Sequence, residues 1–92
     1  MKKCIVVNDA DNVATALTEL NPGEIVLVPA NKEDIKVKIM NLIPFGHKFA
    51  IRTIPENKKV IKYGERIGRS TRKIESGEHV HIHNVESMWR KA

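Results

Sequence analysis

The chain is poor in several residues on which familiar chemistries depend. It has one cysteine, Cys4, in 92 residues. An intrachain disulfide and a thiolate metal cluster are therefore excluded. Cys4 precedes Ile5, Val6 and Val7 and reads as a small apolar residue of a first strand rather than as a nucleophile. Ring residues are nearly as scarce: Phe45, Phe49, Tyr63 and Trp89 are all the chain holds. Single-stranded nucleic acids are gripped on aromatic stacking platforms, which so few rings cannot build. The net charge of +5 permits a polyanionic partner, but sixteen basic residues are interleaved with eleven acidic ones. Nucleic acid is therefore disfavoured. Long apolar runs are missing too. No segment is long enough to span a bilayer, and the basic-then-apolar start "MKKCIVVNDA" is too short for a secretory leader. No membrane partner is expected, and cytoplasmic residence is the default.

Ninety-two residues predict a single domain, 1–92. A chain of this size buries roughly 60–65% of its unfolded surface, so its core is thin. It has room for one site, or for a share in a partner's.

What is present is mostly β patterning. "KKCIVVN" predicts a strand. Val13, Ala16, Leu17 and Leu20 then fall at helical spacing, with Asp9 or Asp11 placed to cap, and "NPG" at 21–23 stops the run. One short helix near the N-terminus is expected there. "EIVLVP" is the next strand. "DIKVKIM" alternates Ile35, Val37 and Ile39 with Lys36 and Lys38, a half-buried strand. "IPFGHKFAIRTI", "KVIKYG", "ERIGRS" and "EHVHIHN" follow, separated by turn residues. Many short strands with one helix predict a mostly β, barrel-like or clip-like domain. A weak internal echo supports hairpin symmetry: "IPENKKV" from Ile54 and "IESGEHV" from Ile74 share one template, with "LNPGEIV" from Leu20 a looser match. The turn formers Asn57, Gly77 and Gly23 all tolerate positive φ.

The stretch "GEHVHIHN" carries three of the four histidines, His79, His81 and His83. On a strand they share one face, with Val80 and Ile82 turned inward. Imidazole suits zinc, iron, nickel or copper. Three consecutive same-face side chains cannot all reach one centre from a straight strand, so two of them plus outside ligands is the workable geometry. His47, Glu78 and Glu86 are the other candidates nearby. A solvated edge strand and a pH switch remain alternative readings of the same spacing. No Ser or Cys is placed beside these rings, so nucleophilic catalysis is a poor fit.

In "IPFGHKFAI", Phe45 and Phe49 are expected to bury, and Gly46 to turn the chain or let it approach closely. His47 and Lys48 are neighbours on a strand, so they point to opposite faces. Lys62 and Tyr63 do the same in "VIKYG".

Taken in order, "IPFGHKFAI", "VIKYGERIGRS" and "IESGEHVHIHN" resemble the small SAF-type domain of the altronate/galactarate dehydratase family. The resemblance covers about residues 8–86 and is strongest over 43–84. It implies a β-clip fold. It also implies elimination of water, or of sulfite in a sulfo-lyase branch, from a sugar acid or sulfonated acid. Matching motifs would make His47 and Lys48 catalytic and Lys62, Tyr63 and Asn84 substrate-binding. They would make His81 and His83 metal ligands, with His79 a further candidate. Gly46 and Gly64 match by position. The family's association with divalent iron implies that ion here, held by or shared with a large catalytic subunit encoded separately. The family's large region is not in this sequence, so an accessory subunit of a lyase is the expectation. A free-standing module for a small acid or a divalent metal is the alternative, and self-association stays open. Asn57 departs from the glycine natural at its position.

Overall fold

One short pattern recurs four times and organises the chain: an apolar residue, two others, a turn former, two others, and a second apolar residue. The copies begin at Leu20, Ile43, Ile54 and Ile74. The computed structural model describes residues 2–29 and 34–87. In it the turn formers have positive φ: Gly23 88°, Gly46 84°, Asn57 64° and Gly77 88°. Positive φ at the third of four residues is what a type II turn requires, and glycine meets it without steric cost. Three turns are closed by a backbone bond, from Glu24 N to Asn21 O, His47 N to Pro44 O and Glu78 N to Glu75 O. In the fourth, the Ser70 hydroxyl stands between the two groups. It accepts from Lys58 N at 2.9 Å and donates to Pro55 O at 2.6 Å. The eight apolar residues that bracket the turns are all buried. The copies join in twos, through reciprocal backbone bonds between Leu20 and Ile43 and between Ile54 and Ile74.

The strands are β1 (Cys4–Ile5), β2 (Val13–Ala16), β3 (Ile25–Val28), β4 (Ile35–Lys38), β5 (Lys48–Ala50), β6 (Lys59–Lys62), β7 (Glu65–Ser70), β8 (His79–Val80) and β9 (Val85–Ser87). A four-stranded antiparallel sheet runs β1-β2-β5-β8, flanked by the hairpin β3-β4 and the sheet β6-β7-β9. The mostly β expectation holds. Cys4 is buried in β1 as expected, and burial pushes its thiol up to about 11.

The four-stranded sheet divides two cores. Cys4, Ala14, Ala16 and Phe49 pack on one side with Leu20, Val26, Val28 and Ile39. Val13, Ala50 and Val80 pack on the other with Ile54, Val60 and Ile74. Side chains alternate across a strand, so a sheet covered on both faces buries consecutive residues.

This double coverage accounts for a strand where a helix is expected. No helix forms among the described residues, and the segment expected to be helical is β2. A surface helix would bury one stripe. Here Val13 and Ala14 are both buried, and Leu17, which the stripe needs inside, is 41% exposed. The β-branched Val13 and Thr15 fit a strand better. Asp11 caps no helix. Its carboxylate accepts from the amides of Val7, Asn8 and Gly64, which ties the 7–11 loop to the β6–β7 hairpin.

Two further expectations fail. Strand β8 ends at Val80, and Ile82, expected inward, is 83% exposed on a turn. The cause is Asn84, whose buried amide accepts from His81 N and donates to His79 O, pulling the chain away from the sheet. Phe45, expected to bury, is 70% exposed at the tip of its turn. Strand β9 has no counterpart among the strands expected from the sequence. The tail from residue 88, with Trp89, lies outside the described residues.

Candidate functional site

Strands β5 and β8 pair antiparallel, with Lys48 opposite Val80 and Phe49 opposite His79. The same register, carried one residue further, sets His47 opposite His81. Parity then puts His47 and His79 on the face where Phe49 enters its core, and Lys48 on the other, while His81, at the bend after β8, reaches both the rings and the side of Lys48. The rings gather at the end of the sheet. Centroids of His47 and His81 are 4.8 Å apart, those of His47 and His79 5.2 Å, and those of His79 and His81 5.4 Å. The planes are within 28° of parallel. His47 Nδ1 and His79 Nε2 are 3.0 Å apart, one donating and the other accepting according to tautomer. One ring nitrogen from each of the three lies within 4.8 Å of the others. The His83 ring, on the turn after β8, is tilted against His79 at 5.5 Å.

Burial, with the charges of the other histidines and Lys48, pushes the His79 imidazole down to about 4. His81 is lowered for similar reasons, burial first and then His47, Lys48 and His83. At neutral pH the His79 ring is therefore uncharged and offers a lone pair.

On the opposite face Lys48 opens on a cavity of about 200 Å³ with His81, and Ile67, Val80, Ile82 and Val85 form its apolar wall. Burial and the nearby Lys62 lower the Lys48 ammonium below the ordinary lysine range. Lys62 lies 5.0 Å over the Tyr63 ring. Tyr63 and Gly64 form a two-residue hairpin turn with φ of 56° and 80°. The Tyr63 hydroxyl points at Thr15 Oγ1, 3.4 Å away, and Thr15 is the residue opposite Lys48 in β2.

The structure thus brings together His47, Lys48, His79, His81 and Lys62, with His83 at the margin. Asn84 is committed elsewhere, since both ends of its amide bond backbone. The acids considered as ligands are also engaged: Glu78 with Arg72 and with Glu75 N, and Glu86 with Arg69. The sequence names His47 as a candidate to join the other histidines but does not show that its strand pairs with the one carrying His79. The signal lies in the copy at 43–49, which has the turn template of 74–80 and so yields a strand in matching register.

A model of the altronate/galactarate dehydratase SAF domain matches residues 2–88. The chain belongs to this family. The SAF domain is 40% identical over 86 residues to the (2R)-sulfolactate sulfo-lyase subunit alpha of Chromohalobacter salexigens, covering 89% of this chain and 92% of that one. It is 34% identical over 87 residues to the altronate dehydratase of Bacillus subtilis, covering 95% of this chain and 17% of the relative. To the galactarate dehydratase (L-threo-forming) of Escherichia coli it is 36% identical over 73 residues, 79% of this chain and 13% of the relative. This SAF domain therefore spans almost all of one kind of relative and a small part of the other.

Proposed function

We propose that this SAF domain is the small subunit of a lyase that eliminates water or sulfite from a small hydroxy acid, working with a separate large subunit. The observation that carries the reading is its match to almost the whole length of a sulfo-lyase alpha subunit. Elimination from such an acid needs a base for the proton next to the carboxylate and an acid for the departing group. Lys48 suits the first role, because its lowered pKa raises the neutral amine fraction at a given pH. His47, hydrogen-bonded to His79 and stacked on His81, which lines the cavity with Lys48, suits the second. Lys62 and Tyr63 supply cationic and hydroxyl contacts for an anionic substrate. Asn84 contributes by holding the backbone on which His79 and His81 stand. Divalent iron, held by or shared with the large subunit, would supply Lewis acidity. The cavity beside Lys48 has the volume of a small acid, not of a polymer.

The test is elimination from sulfolactate, altronate and galactarate, assayed with ferrous iron, with and without a co-purified large subunit. Activity is expected only in the complex. Full turnover by the isolated chain would overturn the reading.

A further inference from the structure

We propose that His47, His79 and His81 form a three-imidazole site for one divalent transition-metal ion, and that this chain binds the ion by itself. The proposal stands apart from the lyase reading, because every ligand it needs is on one chain. Imidazole nitrogen is a good donor to zinc, cobalt, nickel and iron. Two nitrogens on a shared tetrahedral ion, with bonds of about 2.1 Å, lie about 3.4 Å apart. His47 Nδ1 and His79 Nε2 already stand at 3.0 Å, and the His81 nitrogen is within 4.8 Å of both. Closing the site requires the His81 nitrogen to approach the other two.

The backbone below the rings is fixed independently of them. β5 and β8 are paired directly beneath the cluster, Lys48 with Val80 and Phe49 with His79. Asn84 clasps His79 O and His81 N, and Asn41 Oδ1 accepts from His79 N at 2.9 Å. Metal sites bind more tightly when supporting groups hold the ligands in place. Glu78, next to His79 in sequence, is held by Arg72 and Glu75 N, which leaves the fourth position to water or an incoming anion in the proposed site. One neighbour works against the ion. Lys48 is close enough for its charge to act on both His79 and His81. That repulsion makes a prediction that a mere stack of rings does not make.

The full chain, stripped with a chelator, is titrated with zinc by calorimetry and with cobalt by its visible absorption. One ion per chain is expected, with the intense bands of four-coordinate cobalt. His47→Ala and His81→Ala should each weaken zinc binding about 10-fold or more, whereas His83→Ala should change it by less than about threefold. Lys48→Met should tighten it a few-fold by removing a like charge. Circular dichroism and the melting temperature show that each variant is folded. Should His81→Ala unfold, His47→Ala and Lys48→Met carry the test, since neither replaces a residue of the 79–84 segment that Asn84 clasps. No saturable binding, or binding that survives loss of both His47 and His81, or a loss in His83→Ala equal to that in His81→Ala, would overturn the site. The cluster would then be a hydrogen-bonded imidazole stack.

Discussion

Of the four turn–strand units, those at 43–50 and 74–81 carry the clustered His47, His79 and His81, and those at 20–27 and 54–61 carry no histidine. All four have the same positive-φ turn and the same buried bracket residues. The positions matching His47 and Lys48 hold Glu24 and Ile25 in one plain unit and Lys58 and Lys59 in the other. What differs is the company each strand keeps. β3 and β6 pair with their own hairpin partners, β4 and β7. β5 and β8 pair with each other, far apart in sequence. Only there does the residue after one turn face a residue of a second unit. The site is thus a product of long-range pairing laid over a repeated local geometry, and the local geometry alone makes no chemistry.

The largest loss is expected at the turn glycines. A Cβ on Gly77 would lie 1.9 Å from the Lys38 carbonyl oxygen, in addition to its φ of 88°. Gly77→Ala should cost more than about 3 kcal/mol and abolish most folding, because backbone must move. Gly46 and Gly23 share the positive φ, but a Cβ on either would have nothing within 4 Å. Alanine there should cost about 1–2 kcal/mol, the left-handed penalty alone. Urea midpoints separate the two cases, and equal losses at all three positions would show that crowding at Gly77 plays no part.

A smaller effect is expected from acid. The folded value of His79, about 4, lies below its ordinary 6.5. Between these values the unfolded chain takes up a proton that the folded chain refuses, so stability falls as pH drops from about 6.5 towards 4. The ring is partly open to solvent, which keeps the effect below that of the Gly46 change. His79→Gln should flatten the slope of melting temperature against pH over this range. An unchanged slope would mean that other groups set it.

The smallest change is expected at Asn57. Asparagine tolerates φ of 64°, so Asn57→Gly should move the denaturation midpoint by no more than a few tenths of a kcal/mol. A large shift would show that the Asn57 side chain supports the turn in a way its backbone does not reveal.

Most strands are legible in the sequence because their alternation is local: Val37 and Ile39 bury while Lys36 and Lys38 face out. The N-terminal segment reads as a helix because a sheet covered on both faces buries adjacent residues, and small apolar runs then mimic a helical stripe. Of the site, period two groups His79, His81 and His83 on one face, but the strand ends at Val80 and the turn leaves His83 at the margin. The third ring of the cluster, His47, comes from a different strand, and no local pattern reports which strands become neighbours. Asn84 is marked by its motif, but its role as a clasp depends on a tight turn that the alternation of "HVHIH" conceals.

The sheet that separates the two cores also couples them. Consecutive residues Val13 and Ala14 belong to different cores, as do Phe49 and Ala50. Fraying of β2 or β5 therefore opens both cores at once, and neither half has a private stability of its own. Heat or urea should melt the domain in a single transition, and the amides of β2 and β5 should exchange with solvent only when the whole domain opens. The histidine cluster, anchored on β5 and its neighbour, inherits this all-or-none behaviour: it is fully assembled or absent, with no half-folded form in which two of its rings stay in place.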